Sequence, residues 1–443
     1  MPDSLLRHET ATAAQLTAYL GISQPTLSRR LRARQDILAF GKGKATRYAL
    51  LRPVNGLTQF PLYRINEQGQ ATHWATLYPI WPQESCVVHD MAQSAWQQYE
   101  GLPWYLYDMR PQGFLGRAWG RHCAASLALP EDIARWSDTQ VLMALANGME
   151  DAPGNVVIGE VNYQRRLTRH QTEPVRRADN VARYCELAER ALAGDPVGSS
   201  AGGEQPKFTC WAETAAGLRH VLVKFTPAQQ NENSLRWADL LQAEHLALEV
   251  LRQFNLPTAE SCLLQSESGQ TFLETVRFDR VGAEGRWGVV SLLAVDAEFI
   301  GQANANWARA AKALAQGGYI TAETRHHIEA VYAFGRLIAN SDMHQGNFSF
   351  LHPDTFPLMP APVYDMLPMA FAPSRQGDMR HAAPEIILTA EVSRQVWQQA
   401  REMAQVYWQR LGALPGVSER FRQLAGDMLR QANAWDAQIF RMA

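Results

Sequence analysis

Cysteine is scarce and scattered. Cys86, Cys123, Cys185, Cys210 and Cys262 form no CxxC pair and no cluster with histidine at zinc-ligand spacing, which argues against a zinc centre or a disulfide framework. Long apolar runs are also missing. No window approaches about 18 uninterrupted apolar residues, and the N-terminus MPDSLLRHETATAAQL has no apolar core like that of a signal peptide. The expectation is a cytoplasmic protein with no membrane partner. Nor does one sign of charge dominate, since the formal net charge is -2, so a polyanion partner would have to meet a local patch. There is no internal repeat and no long low-complexity tract. What is present is 443 residues with 46% hydrophobic content, enough for two or three domains with cores of their own.

The local patch lies at the N-terminus. In TAAQLTAYLGISQPTLSRRLRAR, residues 12–34, Leu16, Leu20, Leu27 and Leu31 recur at helical spacing on either side of Gly21, a helix-turn-helix pattern with Ser23 as a cap and Pro25 in the first turn. ILAFGKGKATRYALL, residues 37–51, then reads as two strands around a Gly-Lys-Gly turn, the wing of a winged helix. Between Gly21 and Arg52 the bases are Arg29, Arg30, Arg32, Arg34, Lys42, Lys44, Arg47 and Arg52, against Asp36 as the sole acid. Gln24, Thr26, Ser28 and Arg29 are placed to reach base edges of double-stranded DNA, with Arg30, Lys42 and Lys44 on phosphates. The alternative is a docking or dimerisation module whose basic face is only solvated.

The expected organisation is α+β: a winged helix-turn-helix over residues 1–52, a small β-rich module over 53–150, and a two-lobed, protein-kinase-like domain over 151–443 whose C-terminal lobe is helical. Trp74, Trp81, Trp96, Trp104 and Trp119 suggest core packing rather than base stacking. HVLVKF (220–225) and TFLETVRFD (271–279) read as strands, and residues 235–254 and the last fifty as helical. His326 and His327 read as a solvated helix face.

Phosphoryl transfer needs a cover over the phosphates, a cation on them, a carboxylate at the attacking hydroxyl, and oxygen ligands for magnesium. The second half offers each in order. GSSAGGEQPKF, residues 198–208, has small residues, among them Ser199, Ser200, Gly202 and Gly203, that let backbone N–H groups approach phosphates, and it ends near Lys207. Such runs are also common in linkers. Lys224 ends an apolar strand, where an unpaired ammonium is costly, so an anion is expected beside it, ATP phosphates or Glu244 near the start of a helix; taken alone, a surface lysine at a strand end is the alternative reading. In NSDMHQGNFSF, Asp342 and Asn347 have the D-x-x-x-x-N spacing that joins a base aspartate to a metal-binding asparagine in kinases, and PVYDML supplies Asp365 downstream. His344 reads as a structural residue of that loop, grouped with the cofactor-binding residues, and the alternatives are a metal ligand or a hydrolase base.

These segments, with AEHLALEVLRQFNLPTAE and VRFDR, resemble the HipA-like serine/threonine kinases of bacterial toxin–antitoxin systems over roughly residues 55–430. The resemblance implies ATP and Mg2+ as cofactors, Asp342 as catalytic base, Asn347 and Asp365 as metal ligands, and Lys224 as phosphate contact. It places adenine and ribose at Phe278 and Asp279, and autophosphorylation at Ser200 or neighbouring Ser199. It implies a protein target, such as an aminoacyl-tRNA synthetase or another translation factor, and allows a homodimer. The family often carries a lysine where this chain has Gly346 and a glutamate where it has Val276, and typical members rely on a separate DNA-binding antitoxin. Two other readings stand beside this one: a DNA-binding transcription regulator with a nucleotide-sensing pseudokinase domain, and a small-molecule or lipid kinase.

Overall fold

The computed structural model describes residues 2–149, 151–168, 173–195, 197, 203–302, 305–374 and 376–442. The chain divides into two compact units, the first running to residue 171 and the second beginning at 172.

In the first unit, Thr12 and Gln15 form a capping box that starts the helix Ala13–Leu20, and Gly21, at φ +63°, ends it in the left-handed region that a glycine adopts without strain. The helix Gln24–Arg32 comes next. Ser23 opens it without a side-chain cap, because its hydroxyl bonds to that of Thr26 at 3.0 Å. Strands Ile37–Phe40 and Arg47–Leu50 pair antiparallel, and Ala11–Thr12 pairs with the outer side of the second. Leu6, Leu16, Leu27, Leu31 and Leu50 close a small core beneath them.

Residues 60–158 build a five-stranded antiparallel sheet in the spatial order Ala95–Glu100, Ser85–Asp90, Ala71–Ile80, Phe60–Ile65, Val156–Ile158. Helices Gly113–Leu127 and Asp138–Ala146 cover it, burying Leu62, Leu77, Leu142 and Leu145. Trp74, Trp81, Trp96, Trp104 and Trp119 all pack into or against the cores of this unit.

Two expected divisions are crossed by packing and pairing. Phe40 and Ala49 share a core with Ile80 and Val87 of the sheet, and Trp81 N–H donates to the Leu50 carbonyl at 2.9 Å, so the strands Ile37–Phe40 and Arg47–Leu50 pack against the five-stranded sheet. Val156–Ile158 pairs with Phe60–Ile65, which places residues 151–168 in the first unit rather than at the head of a kinase domain.

The second unit opens with a four-stranded antiparallel sheet in the order Ser261–Gln265, Thr271–Val276, Gly217–Phe225, Lys207–Thr214. Tyr184 of the helix Asn180–Ala193 packs on Phe208 and Phe272, and the helix Glu232–Gln253 is buried beside the sheet. Glu244 lies in the middle of that helix, not at its start, because the Asn231 capping box begins the helix well upstream. The strand expected over 271–279 stops at Val276, where Arg277 and Arg280 fold back onto the Asp279 carboxylate. A helical half completes the unit, with Trp307–Gln316, Ala322–Leu337, Arg394–Ala413 and Glu419–Phe440 around Phe334, Trp397, Tyr407, Trp408 and Trp435. His327 is not on a solvated face. It lies half-buried beside Phe348, and burial draws its imidazole down to about 4. No helix among the described residues is long and apolar enough to cross a membrane.

The shared core predicts that Ile80→Ala, at a fully buried position, costs about 2–5 kcal/mol and weakens residues 2–52 together with the sheet. Denaturant unfolding should then move both in one transition; separate transitions would show that the N-terminal segment is independent.

Candidate active site

The antiparallel register sets Lys207 directly opposite Lys224, so two buried ammonium groups share one face of the sheet. Like charges in that relation repel, and the surroundings decide which one is neutralised. Lys224 Nζ lies 2.7 Å from both carboxylate oxygens of Glu244 and 2.5 Å from Asp365 Oδ1. Burial alone would pull this ammonium down, but Asp365 and Glu244 outweigh it and hold Lys224 above the ordinary lysine value. Asp365 is held below the usual carboxylate range, because Lys224 and Lys207 overcome its burial. Burial pushes the Glu244 carboxyl up, with Lys224 acting against it. Lys207 is drawn down to about 8 by burial and then by Lys224. Its Nζ lies so close to the backbone of Gly203, at φ +90°, that a side chain there would come within 2.5 Å of it.

The catalytic-loop candidate comes after the helix Ala322–Leu337. The Asn340 side-chain oxygen accepts from Asp342 N–H at 3.0 Å, and Asn347 gives its side-chain N–H to the Asp342 carbonyl at 2.9 Å, closing the loop on itself. With its nitrogen so engaged, the Asn347 oxygen is the atom to meet a cation. His344 Nδ1 accepts from Gly346 N–H at 3.1 Å, which puts the ring proton on Nε2, 3.9 Å from Asp342 Oδ1. A Cβ at residue 346 would stand 2.9 Å from that ring, so the lysine common here in the family requires a different histidine pose. Asp342 itself is exposed, so its carboxylate is open to an incoming group.

Several groups that position this loop belong to no motif. Trp307 Nε1 donates to the His344 carbonyl at 3.0 Å, and buried Gln345 donates to the Ala305 carbonyl at 3.0 Å. Tyr364, next to Asp365, donates to the Gly346 carbonyl at 3.2 Å and so joins the two motifs. Only Tyr364 and Gln345 had a nearby cue, as neighbours of motif residues.

The other expected contacts divide. Phe278 is half-buried, its ring 5.4 Å from that of Tyr364. Both carboxylate oxygens of Asp279 are taken up by Arg277, at 3.0 Å each, and one also by Arg280, so a ribose would have to compete with guanidinium groups. Ser199, Ser200 and Gly202 lie outside the described residues. Gln24, Arg29, Arg30, Lys42 and Lys44 are exposed in the first unit, while Thr26 and Ser28 are half-buried.

Among the described residues no group of three or more His, Cys, Asp or Glu side chains is arranged to hold a metal. Asn347 and Asp365 nonetheless fit Mg2+, which typically takes one or two protein oxygens and completes its shell with water and phosphate. Lys224 and Lys207 fit the phosphates of a nucleotide. Residues 199–435 match the family described as "HipA-like C-terminal domain", and residues 56–167 the one described as "YjjJ-like toxin, middle domain". "Toxin YjjJ" of Escherichia coli (strain K12) is 45% identical over 439 residues, covering 99% of this chain and 98% of that protein. The chain belongs to the HipA-like family. A solved structure of HipA from Shewanella oneidensis MR-1, determined with HipB and operator DNA, superposes with a TM-score of 0.55 at 14% identity, covering 86% of this chain and 99% of that one, a likeness of fold.

In this HipA-like chain Lys207 makes stability depend on pH. The folded lysine loses its proton near 8, whereas the unfolded one keeps it to 10.5, so between those values the unfolded state binds more protons and stability rises with pH. Denaturant titration should show a rise on the order of 3 kcal/mol across that window, absent from Lys207→Met, which should also be the more stable protein at pH 7. An equal rise in the variant would assign the effect elsewhere.

Proposed function

We propose that this chain is an ATP- and Mg2+-dependent kinase that transfers the γ-phosphate to a serine or threonine hydroxyl of a protein. The observation that carries this reading is the joining of Lys224, Glu244 and Asp365 into one buried cluster, in the same unit as an exposed Asp342 whose loop is closed by Asn347. Asp342 accepts the hydroxyl proton as the acceptor oxygen bonds to the γ-phosphorus and the bond to the bridging oxygen of ADP breaks. Lys224 and Lys207 bind the non-reacting phosphates, and Gly203 lets the cover loop come close to them. Asn347 and Asp365 hold Mg2+, which when bound neutralises phosphate charge. Phe278 lies against the adenine, and Asp279 reaches the ribose only if it leaves its arginines.

The E. coli relative is named a toxin, and the family resemblance extends that reading to growth arrest through a component of translation such as an aminoacyl-tRNA synthetase. Ser200, or Ser199 beside it, is the proposed autophosphorylation site; a dianion added to a phosphate-holding loop would repel it from its place. The N-terminal elements are read as a winged helix that binds double-stranded DNA. Exposed Arg29, Arg30 and Arg32 on one helix, with Lys42 and Lys44 in the strand turn, support this, while Arg34 and Arg47 are engaged with Asp3, Asp36 and Thr10. The HipA of S. oneidensis was solved with a separate protein, HipB, on its operator.

Intact mass after incubation of dephosphorylated protein with ATP and Mg2+ tests the kinase reading. Wild type should gain phosphate at Ser199 or Ser200, and Asp342→Ala should lose about 10²–10⁴-fold in rate while still binding nucleotide. Equal phosphorylation in the variant would remove Asp342 from the mechanism, and no phosphate on the wild type would favour a nucleotide-sensing regulator. For DNA, replacing Arg29 and Arg30 with alanine should weaken binding and lower the slope of log affinity against log salt by about one for each phosphate no longer neutralised; an unchanged slope would count against this face.

A further inference from the structure

The helix Glu232–Gln253 holds a second charged group that the reaction itself does not explain. Arg236 is 3% exposed, and its Nη1 donates to the Phe371 carbonyl at 2.9 Å and the Arg380 carbonyl at 3.4 Å. Its guanidinium lies 5.1 Å from the centre of the Phe421 ring. Asp239, the nearest acid, is 4.0 Å from Arg236 Nε and is mainly occupied at 2.7 and 2.6 Å by the backbone N–H and hydroxyl of Ser418. The partners of Arg236 are therefore chiefly backbone carbonyls of the segment downstream of Asp365.

Glu244 lies about two helical turns further along the same helix, roughly 12 Å away, and reaches Asp365 through Lys224. Between these anchors Met366, Leu367 and Phe371 are buried, and Ala370 N–H donates to the Ala339 carbonyl just before the catalytic-loop candidate. One helix thus holds the segment from Asp365 to Phe371 at both ends. That helix is itself fixed: Leu240, Leu241, Leu246, Leu248, Val250 and Leu251 are buried, and Asp239 ties it to the start of Glu419–Phe440.

We infer that Arg236 is a positioning residue for Asp365, holding the downstream segment in its metal-ready arrangement without any modification of that segment. The inference rests on reading Asp365 as a Mg2+ ligand. A purely structural role makes a different forecast, because replacing a buried guanidinium by an apolar side chain of similar length is often neutral or stabilising.

The test compares wild type, Arg236→Met, Arg236→Lys and Leu248→Ala, the last a core lesion in the same helix. Hydrogen exchange of amides 369–374 and 376–380 is measured in ligand-free protein, and Mg2+ titration is followed by calorimetry with a non-hydrolysable ATP analogue. Arg236→Met should exchange at least tenfold faster there and need at least fivefold more Mg2+ for half-saturation. Arg236→Lys should recover most of both, and Leu248→Ala should lower stability without either local effect. Wild-type exchange and Mg2+ dependence in Arg236→Met, or the same local pattern in Leu248→Ala, would overturn the inference. A wild type that takes up no Mg2+–nucleotide would sink the kinase reading instead, and exchange alone would then decide whether Arg236 holds the segment.

Discussion

The buried ammonium of Lys224 is the point on which the second unit is organised. An isolated charge at that depth is costly, and two carboxylates from distant parts of the chain offset the cost. Glu244 comes from the long buried helix and Asp365 from beyond the catalytic-loop candidate, so satisfying one cation brings the sheet, the helix and the loop region together. The same demand explains the asymmetry with Lys207. Lys207 lies opposite Lys224 in the register and beside the Gly203 backbone, and burial, then Lys224, pulls it down.

Around this centre several side chains hold their neighbours through hydrogen bonds to backbone carbonyls. Trp307, Gln345 and Tyr364 donate to carbonyls of the loop or of its neighbours, and Arg236 does the same for the segment after Asp365. Carbonyls exist at every residue, so such bonds fix position without asking for a particular residue at the accepting end. Gly346 shows the opposite kind of constraint. There the absence of a side chain leaves room for the His344 ring, whose Nδ1 takes the glycine N–H.

Much of the fold was legible from pattern. The leucines on either side of Gly21, the Gly-Lys-Gly turn and the apolar strands around Lys224 each declare local structure through spacing, and each formed nearly where spacing placed it. The errors came at element boundaries, where particular side-chain bonds or a partner strand decide the outcome. The strand at 271 ends early because Asp279 draws in two neighbouring guanidinium groups, and Glu244 sits in the middle of the helix Glu232–Gln253, which the Asn231 capping box begins. Val156–Ile158 is too short to announce itself, and only its partner strand assigns it to the first unit.

By itself the sequence determined the chemical inventory: a base-like aspartate with an asparagine at kinase spacing, a second aspartate downstream, a lysine ending an apolar strand, and a basic N-terminal segment. These depend on residue type and on separations of a few positions, which a linear chain displays directly. Only the tertiary structure decided that Lys224 is shared between Glu244 and Asp365, that Asp279 faces arginines, and that Arg236 grips the Phe371 and Arg380 carbonyls. Most of those pairings join residues far apart in the chain. Several buried charges compete for the same few partners, and the outcome depends on which groups packing brings within hydrogen-bonding distance.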